Sequence, residues 1–258
     1  MSEPAGRATH RPLAGLAVVV TGAGSGIGRS VAECLTAAGA GVTAVGRRAA
    51  PLAELAADAG QMVHPVAADV AEPGAAERIV TAALARFGRL DAVVNNAGLA
   101  RFGALEDTAD EDFLAMLRVN VWAPAEMIRY AIPHLRKNSG AVVNVSSVGG
   151  VLSMPERSCY GASKAALNSL TRSLARELAP EIRVNAILPG PVDTPMWYET
   201  GLSDSERREL ARKLTEATPL RRFGRGEEIG RWVCALVDPE MAGWMTGALI
   251  PLDGGRTA

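Results

Sequence analysis

Tyr160 and Lys164 stand four residues apart in an alanine-rich stretch of good helix propensity, residues 158–178, which stacks them on one helical face. A phenol is thereby set beside a cation. A free tyrosine titrates near ~10, and a unit charge about 4 Å away at an effective dielectric of ~20 is worth roughly 4 kcal/mol, or about three pKa units. The expectation is a phenol that Lys164 draws down toward the range where a proton donor or acceptor works near neutral pH. Ser147, thirteen residues before Tyr160 and at the end of an apolar run, offers a hydroxyl to hold a substrate oxygen.

A second group lies near the start of the chain. In TGAGSGIG, residues 21–28, Gly22, Gly26 and Gly28 follow a G-x-x-x-G-x-G spacing between an apolar run and a stretch with Ile27, Val31 and Leu35 at fourfold spacing. Strand, glycine turn and helix N-terminus together make a site for a pyrophosphate. The next apolar run, residues 41–46, ends where an adenosine ribose is tested, and there Arg47 and Arg48 replace the acidic residue that would bind a 2′-hydroxyl. A guanidinium takes a 2′-phosphate by paired charge-assisted hydrogen bonds, so NADP(H) is favoured, with NAD(H) possible.

These groups need elements to carry them. Apolar runs at residues 16–21, 41–46, 62–66, 90–94, 141–146, 182–188 and 247–252 alternate with helical stretches at 50–59, 72–87, 110–135, 158–178 and 227–237. The alternation predicts an α/β chain: a single-domain, Rossmann-like, doubly wound parallel sheet of about seven strands with helices on both faces. Its ligand would lie at the strand C-termini. The 110–135 stretch holds Asn120 and is expected to kink at Pro124. Residues 195–225 read as a lid over the same edge, opened by Met196, Trp197 and Tyr198. It continues in an amphipathic helix with a Ser203/Glu206 capping box and Leu210 and Leu214 on one face.

The net charge of −1, with both signs interspersed, argues against a nucleic-acid or anionic-membrane partner and leaves a small molecule as the ligand. Cys34, Cys159 and Cys234 are widely separated, and His10, His64 and His134 form no metal-binding spacing, so no catalytic metal is expected. Residues 1–12 are polar without an apolar core and read as a disordered tail, leaving residues 13–258 as one domain. No run of 18 apolar residues occurs, and a cytoplasmic location is expected.

Taken together, residues 21–28, Asp69-Val70, NNAG at 95–98, Asn120, Ser147, Tyr160-x-x-x-Lys164, Pro189-Gly190 with Thr194, and the terminal DGG at 253–255 resemble the short-chain dehydrogenase/reductase superfamily in its short, single-domain branch. The resemblance implies that Tyr160 is general acid in reduction and base in oxidation, and that Lys164 holds the nicotinamide ribose. Ser147 would bind the substrate oxygen and Asn120 a water relay. It also implies cofactor contacts from Gly22, Ser25, Gly26, Ile27, Gly28, Asp69 and Val70, from Asn96, Ala97 and Gly98, and from Pro189, Gly190, Val192 and Thr194. Leu99, Phe102, Met154, Met196, Trp197 and Leu202 would line a pocket for an apolar or cyclic ketone. The long helical stretches resemble the family's tetramer interface, which implies a homotetramer or homodimer. Ser25 stands where many NADP-dependent members carry a basic residue, so cofactor preference rests on Arg47 and Arg48. Asn138 and Glu181 stand about where acyl-carrier reductases of the family tend to place arginines. That alternative survives through Arg136 and Lys137, and a non-catalytic nucleotide sensor is the alternative of another class.

Overall fold

The computed structural model describes residues 11–258, so most of the expected N-terminal tail lies outside the described residues. Seven strands form one parallel sheet: β1 Ala17–Thr21, β2 Gly41–Gly46, β3 Val63–Ala67, β4 Ala92–Asn95, β5 Ala141–Val145, β6 Arg183–Pro189 and β7 Leu249–Leu252. Their order is β3-β2-β1-β4-β5-β6-β7. The chain therefore reverses direction across the sheet between β1 and β4, and a crevice opens there beyond the strand C-termini. The connecting helices are α1 Gly26–Ala37, α2 Ala49–Ala59, α3 Ala75–Phe87, α4 Asp110–Leu117, α5 Ala123–Lys137, α6 Ser158–Glu177, α7 Asp204–Glu216, α8 Gly226–Val237 and the short α9 Pro239–Ala242.

The strands read as unbroken apolar runs because both faces are covered. Val18 and Val20 of β1 pack with α1, α2 and α8, while Val19 between them packs with α3 and α5. All three are essentially inaccessible, and each such valine contributes roughly 1.5–3 kcal/mol of burial. This two-sided packing fixes the C-terminal sheet edge, from which the glycine turn, Arg47-Arg48, Asp69-Val70, NNAG, Ser147 and Pro189-Gly190 follow β1 to β6 in turn.

The single kinked helix expected over residues 110–135 is two helices joined by a π turn, Arg118–Trp122. The cause is local. Pro124 has no N–H to give the Asn120 carbonyl four residues back, and the Ala123 N–H reaches instead to the Arg118 carbonyl, five residues back. The widened turn places Asn120 inward, fully buried.

The excursion expected to form a lid contains a tight turn at Pro195–Glu199 and then α7. Ser203 and Glu206 close the capping box, with the Ser203 N–H on the Glu206 carboxylate at 2.8 Å and the Glu206 N–H on the Ser203 hydroxyl at 3.4 Å. Leu214 is buried and Leu210 half-buried beneath α7. The two roots of this excursion are tied together. The Asp193 N–H donates to the Gly224 carbonyl at 3.1 Å, and the Gly224 N–H to the Pro191 carbonyl at 2.9 Å.

Candidate active site

The glycine turn after β1 is built by close approach. Gly22 takes φ +70°, and a Cβ there would stand 2.8 Å from Asn96 Nδ2. Asn96 is itself fixed: its side chain donates to the Thr21 carbonyl at 2.9 Å, and the backbone N–H groups of Asn96 and Ala97 both donate to the Thr21 hydroxyl at 3.0 Å. Gly28 does not line the cleft. It lies beneath the turn, where a Cβ would stand 2.2 Å from the Gly22 carbonyl oxygen, so it serves the packing of α1 against the turn. Ser25 precedes α1 without capping it through its side chain. The first N–H groups of α1 thus lack a side-chain partner from Ser25 at the rim of an open cradle, a donor set that suits a pyrophosphate.

From this cradle one continuous cleft of about 320 Å³ runs along the sheet edge. Ser25, Gly26 and Ile27 border it at one end together with Arg47, Arg48, Asp69 and Val70. Both arginines are exposed, and neither joins an ion pair among the described residues. Asn96, Ala97 and Gly98 form one middle wall, and Pro189, Gly190, Val192 and Thr194 the other. Ser147, Tyr160 and Lys164 stand at the far end.

Ser147 leaves β5 in extended backbone and accepts the Gly149 N–H at 3.0 Å, so its side chain is held at the mouth of the strand. Tyr160, in the first turn of α6, is 8% exposed and meets the Phe102 ring edge-on with centroids 5.8 Å apart. Lys164 follows one turn on, 4% exposed, with its Nζ donating to the Val145 carbonyl at 3.0 Å. The expected pull of Lys164 on the phenol is corrected by this geometry. Burial pushes the Tyr160 phenol up, and the groups that act against it are the Ser147 hydroxyl and the Arg157 guanidinium. Burial likewise pushes Lys164 down to about 8. Sharing a helical face fixes where the two Cβ atoms lie, whereas the ammonium is turned to the end of β5 and both charges are disfavoured by the same low-dielectric surroundings.

Asn120 does not line the cleft either. Its Nδ2 donates to the Leu99 carbonyl and to the Ser163 hydroxyl, both at 2.9 Å, and its Oδ1 accepts the Leu99 N–H at 2.8 Å. It still stands beside Lys164, because a Cβ built on Gly98 would lie 3.5 Å from Asn120 Oδ1 and 3.7 Å from Lys164 Nζ.

Of the expected substrate residues, Leu99, Phe102, Met154, Met196 and Trp197 border the cleft. Leu202 does not: Gly201, at φ +88°, turns the chain away after Thr200, and Leu214 of α7 takes its place. The sequence reading missed Arg157 and Arg256, which border the same end. Arg157 lies one helical turn before Tyr160, a spacing that would have revealed it, whereas nothing in the pattern marks Arg256 beyond the closing glycines.

The family model described as enoyl-(acyl carrier protein) reductase matches residues 22–257. An oxidoreductase of Thermotoga maritima is 39% identical over 249 residues, covering 95% of this chain and 98% of that protein. A 3-oxoacyl-[acyl-carrier-protein] reductase of the same organism is 34% identical over 248 residues, covering 94% and 98%. Among solved structures, a short-chain dehydrogenase/reductase of unknown function from Caenorhabditis elegans, crystallised with cofactor, superposes with a TM-score of 0.88 at 32% identity over 95% of this chain and 96% of its own. The chain belongs to the short-chain dehydrogenase/reductase superfamily. It is an oxidoreductase of a family that works with NAD(P)(H), and its cradle, cleft and strand-end residues fit such a dinucleotide. As a short-chain dehydrogenase/reductase it shows no cluster of metal-ligating side chains among its described residues. Among those residues no helix is long and apolar enough to cross a membrane.

Proposed function

We propose that this enzyme interconverts a ketone and a secondary alcohol with a preference for NADP(H). The observation that carries this reading is the convergence of Ser147, Tyr160 and Lys164 at one end of a cleft whose other end is a glycine cradle flanked by Arg47 and Arg48. When bound, the nicotinamide supplies the hydride in reduction and accepts it in oxidation. Ser147 holds the substrate oxygen, and Tyr160 gives that oxygen its proton as the alcohol forms, or takes it as the ketone forms. Lys164 holds the nicotinamide ribose, and its ammonium re-supplies the proton through the hydrogen-bonded surroundings of Asn120. Arg47 and Arg48, without ion-pair partners among the described residues, receive a 2′-phosphate. Gly22, Ser25, Gly26 and Ile27 hold the pyrophosphate; Asp69, Val70, Asn96, Ala97, Gly98, Pro189, Gly190, Val192 and Thr194 complete the cofactor wall, with Gly28 shaping it from beneath.

The test is turnover and cofactor binding in parallel. Tyr160→Phe is expected to lose on the order of 10²–10⁴-fold in kcat while binding NADPH normally, and a normal rate in that variant would overturn the assignment. Tighter binding of NADH than NADPH would reduce Arg47 and Arg48 to surface charges. Cofactor binding without turnover on any ketone or alcohol would favour the sensor reading. An acyl-carrier substrate is the second reading, favoured by the name of the Thermotoga relative and by a Brucella melitensis 3-ketoacyl-(acyl-carrier-protein) reductase, complexed with NADH, that superposes with a TM-score of 0.87 at 32% identity over 95% of this chain and 99% of its own. Asn138 speaks against it, since its amide caps α5 and reaches the Leu90 carbonyl at 2.9 Å instead of offering a cation. We place the enzyme in the cytoplasm and read it as a homo-oligomer with no nucleic-acid partner.

A further inference from the structure

The end of the cleft that holds Tyr160 also holds two arginines, Arg157 from the residue before α6 and Arg256 from the last turn of the chain. Both are half-buried, and neither forms an ion pair among the described residues. The carboxylates around them are committed or exposed. Asp253 accepts the Gly255 N–H at 2.9 Å and the backbone and hydroxyl of Thr257 at 2.8 and 2.6 Å. Glu156 and Glu199 are exposed. Arg256 reaches the Leu214 carbonyl at 3.4 Å.

Arg157 is also held in place. Its guanidinium lies over the Phe102 ring, 5.6 Å from the centroid, and Phe102 in turn meets Tyr160. The residue before it, Glu156, takes a left-handed backbone at φ 59°, uncommon for a side chain with a Cβ, and is fixed there by the Gly103 N–H on its carbonyl at 2.7 Å. Burial and then the charge of Arg256 push the Arg157 pKa down. Two cations half withdrawn from water and short of counter-charge are costly unless an anion joins them. A planar guanidinium pairs with a carboxylate through two parallel hydrogen bonds, and Phe102, Met154 and Trp197 offer apolar walls for the carbon chain between that pair and the reacting carbon.

We propose that the substrate is a keto acid, or the corresponding hydroxy acid, whose carboxylate is held by Arg157 and Arg256 while its reacting carbon faces Ser147 and Tyr160. This rests on the ketone–alcohol reading above and narrows it. The experiment uses a series of short oxo acids of increasing chain length, each beside its methyl ester, which keeps the skeleton and removes the charge.

The expected result is that at least one acid exceeds its ester about tenfold or more in kcat/KM. Arg157→Gln and Arg256→Gln should each lower that acid-to-ester ratio about tenfold, chiefly through KM, and Arg157→Lys should restore part of it. A second readout does not depend on turnover: calorimetric binding of the same acids to Tyr160→Phe protein saturated with NADPH, weakened when either arginine is also replaced by glutamine. Equal use of acid and ester, or ratios and binding indifferent to both arginines, would overturn the proposal. Turnover of neutral ketones or acyl thioesters without an arginine-dependent preference leaves the reaction standing and removes the carboxylate site. Arginine-dependent binding of an acid without turnover of any ketone leaves the site standing and removes the reaction.

Discussion

Burial governs proton affinity on α6, and it moves Tyr160 and Lys164 in opposite directions. For Lys164 the folded pKa of about 8 lies below its ordinary 10.5, so its contribution to stability is complete above about 10.5 and is lost as pH falls through about 8. The unliganded protein should therefore gain stability between those values relative to Lys164→Met, which lacks the group; denaturant midpoints measured across that window check it, and parallel curves would contradict it. That the two residues share a helical face was legible from their spacing. Where the ammonium ends up was not, because four rotatable bonds separate it from the backbone and the Val145 carbonyl is a partner supplied by another element. Gly28 shows the same limit: the glycine string pointed to the cofactor, whereas the structure puts this glycine under the turn. Gly28→Ala should cost about 1–3 kcal/mol and loosen dinucleotide binding, since the added methyl would meet backbone at 2.2 Å. An unchanged melting temperature and an unchanged Kd for NADPH would contradict that.

At the level of elements, the strands could be read to within a residue or two because a covered parallel sheet demands unbroken apolar runs. The π turn could not. A π turn takes up one extra residue within the helix, and Pro124 marked a break without saying how wide it would be. Asn120→Ala should cost about 1–3 kcal/mol by leaving the Leu99 N–H and the Ser163 hydroxyl without their buried partner, with chemical denaturation as the measurement. The start of α7 was legible in its signal, Ser203 with Glu206. Ser203→Ala should fray the first turn of α7 by about 1 kcal/mol, seen as faster amide exchange confined to α7. Because Leu214 borders the cleft, the same change should raise the substrate KM more than it lowers kcat.

On the scale of the whole molecule, apolar side chains gather where the sheet ends. Trp244 is fully exposed and Met245 beside it partly so, just before β7, whose outer edge closes the sheet unpaired. Exposed apolar side chains beside an unpaired strand edge would suit the second copy of the chain proposed above. Trp244→Glu should lower the assembled mass in light scattering, and a monomeric wild type would refute the oligomer outright. Chain order told which helices were long but not which faces the fold would leave uncovered. The excursion between Asp193 and Gly224 carries a different consequence. Its two ends meet at Gly224, so the whole excursion leaves the sheet and returns to it at almost the same point. A segment joined that way behaves as a cassette: its length and residues can change with little strain on the strands beneath, since loop closure grows only slowly costlier with length. Relatives could thus diverge in what they recognise by exchanging some thirty residues while keeping one inherited engine for moving hydride and proton, and a chimera carrying another member's lid between Asp193 and Gly224 should fold and bind the same dinucleotide.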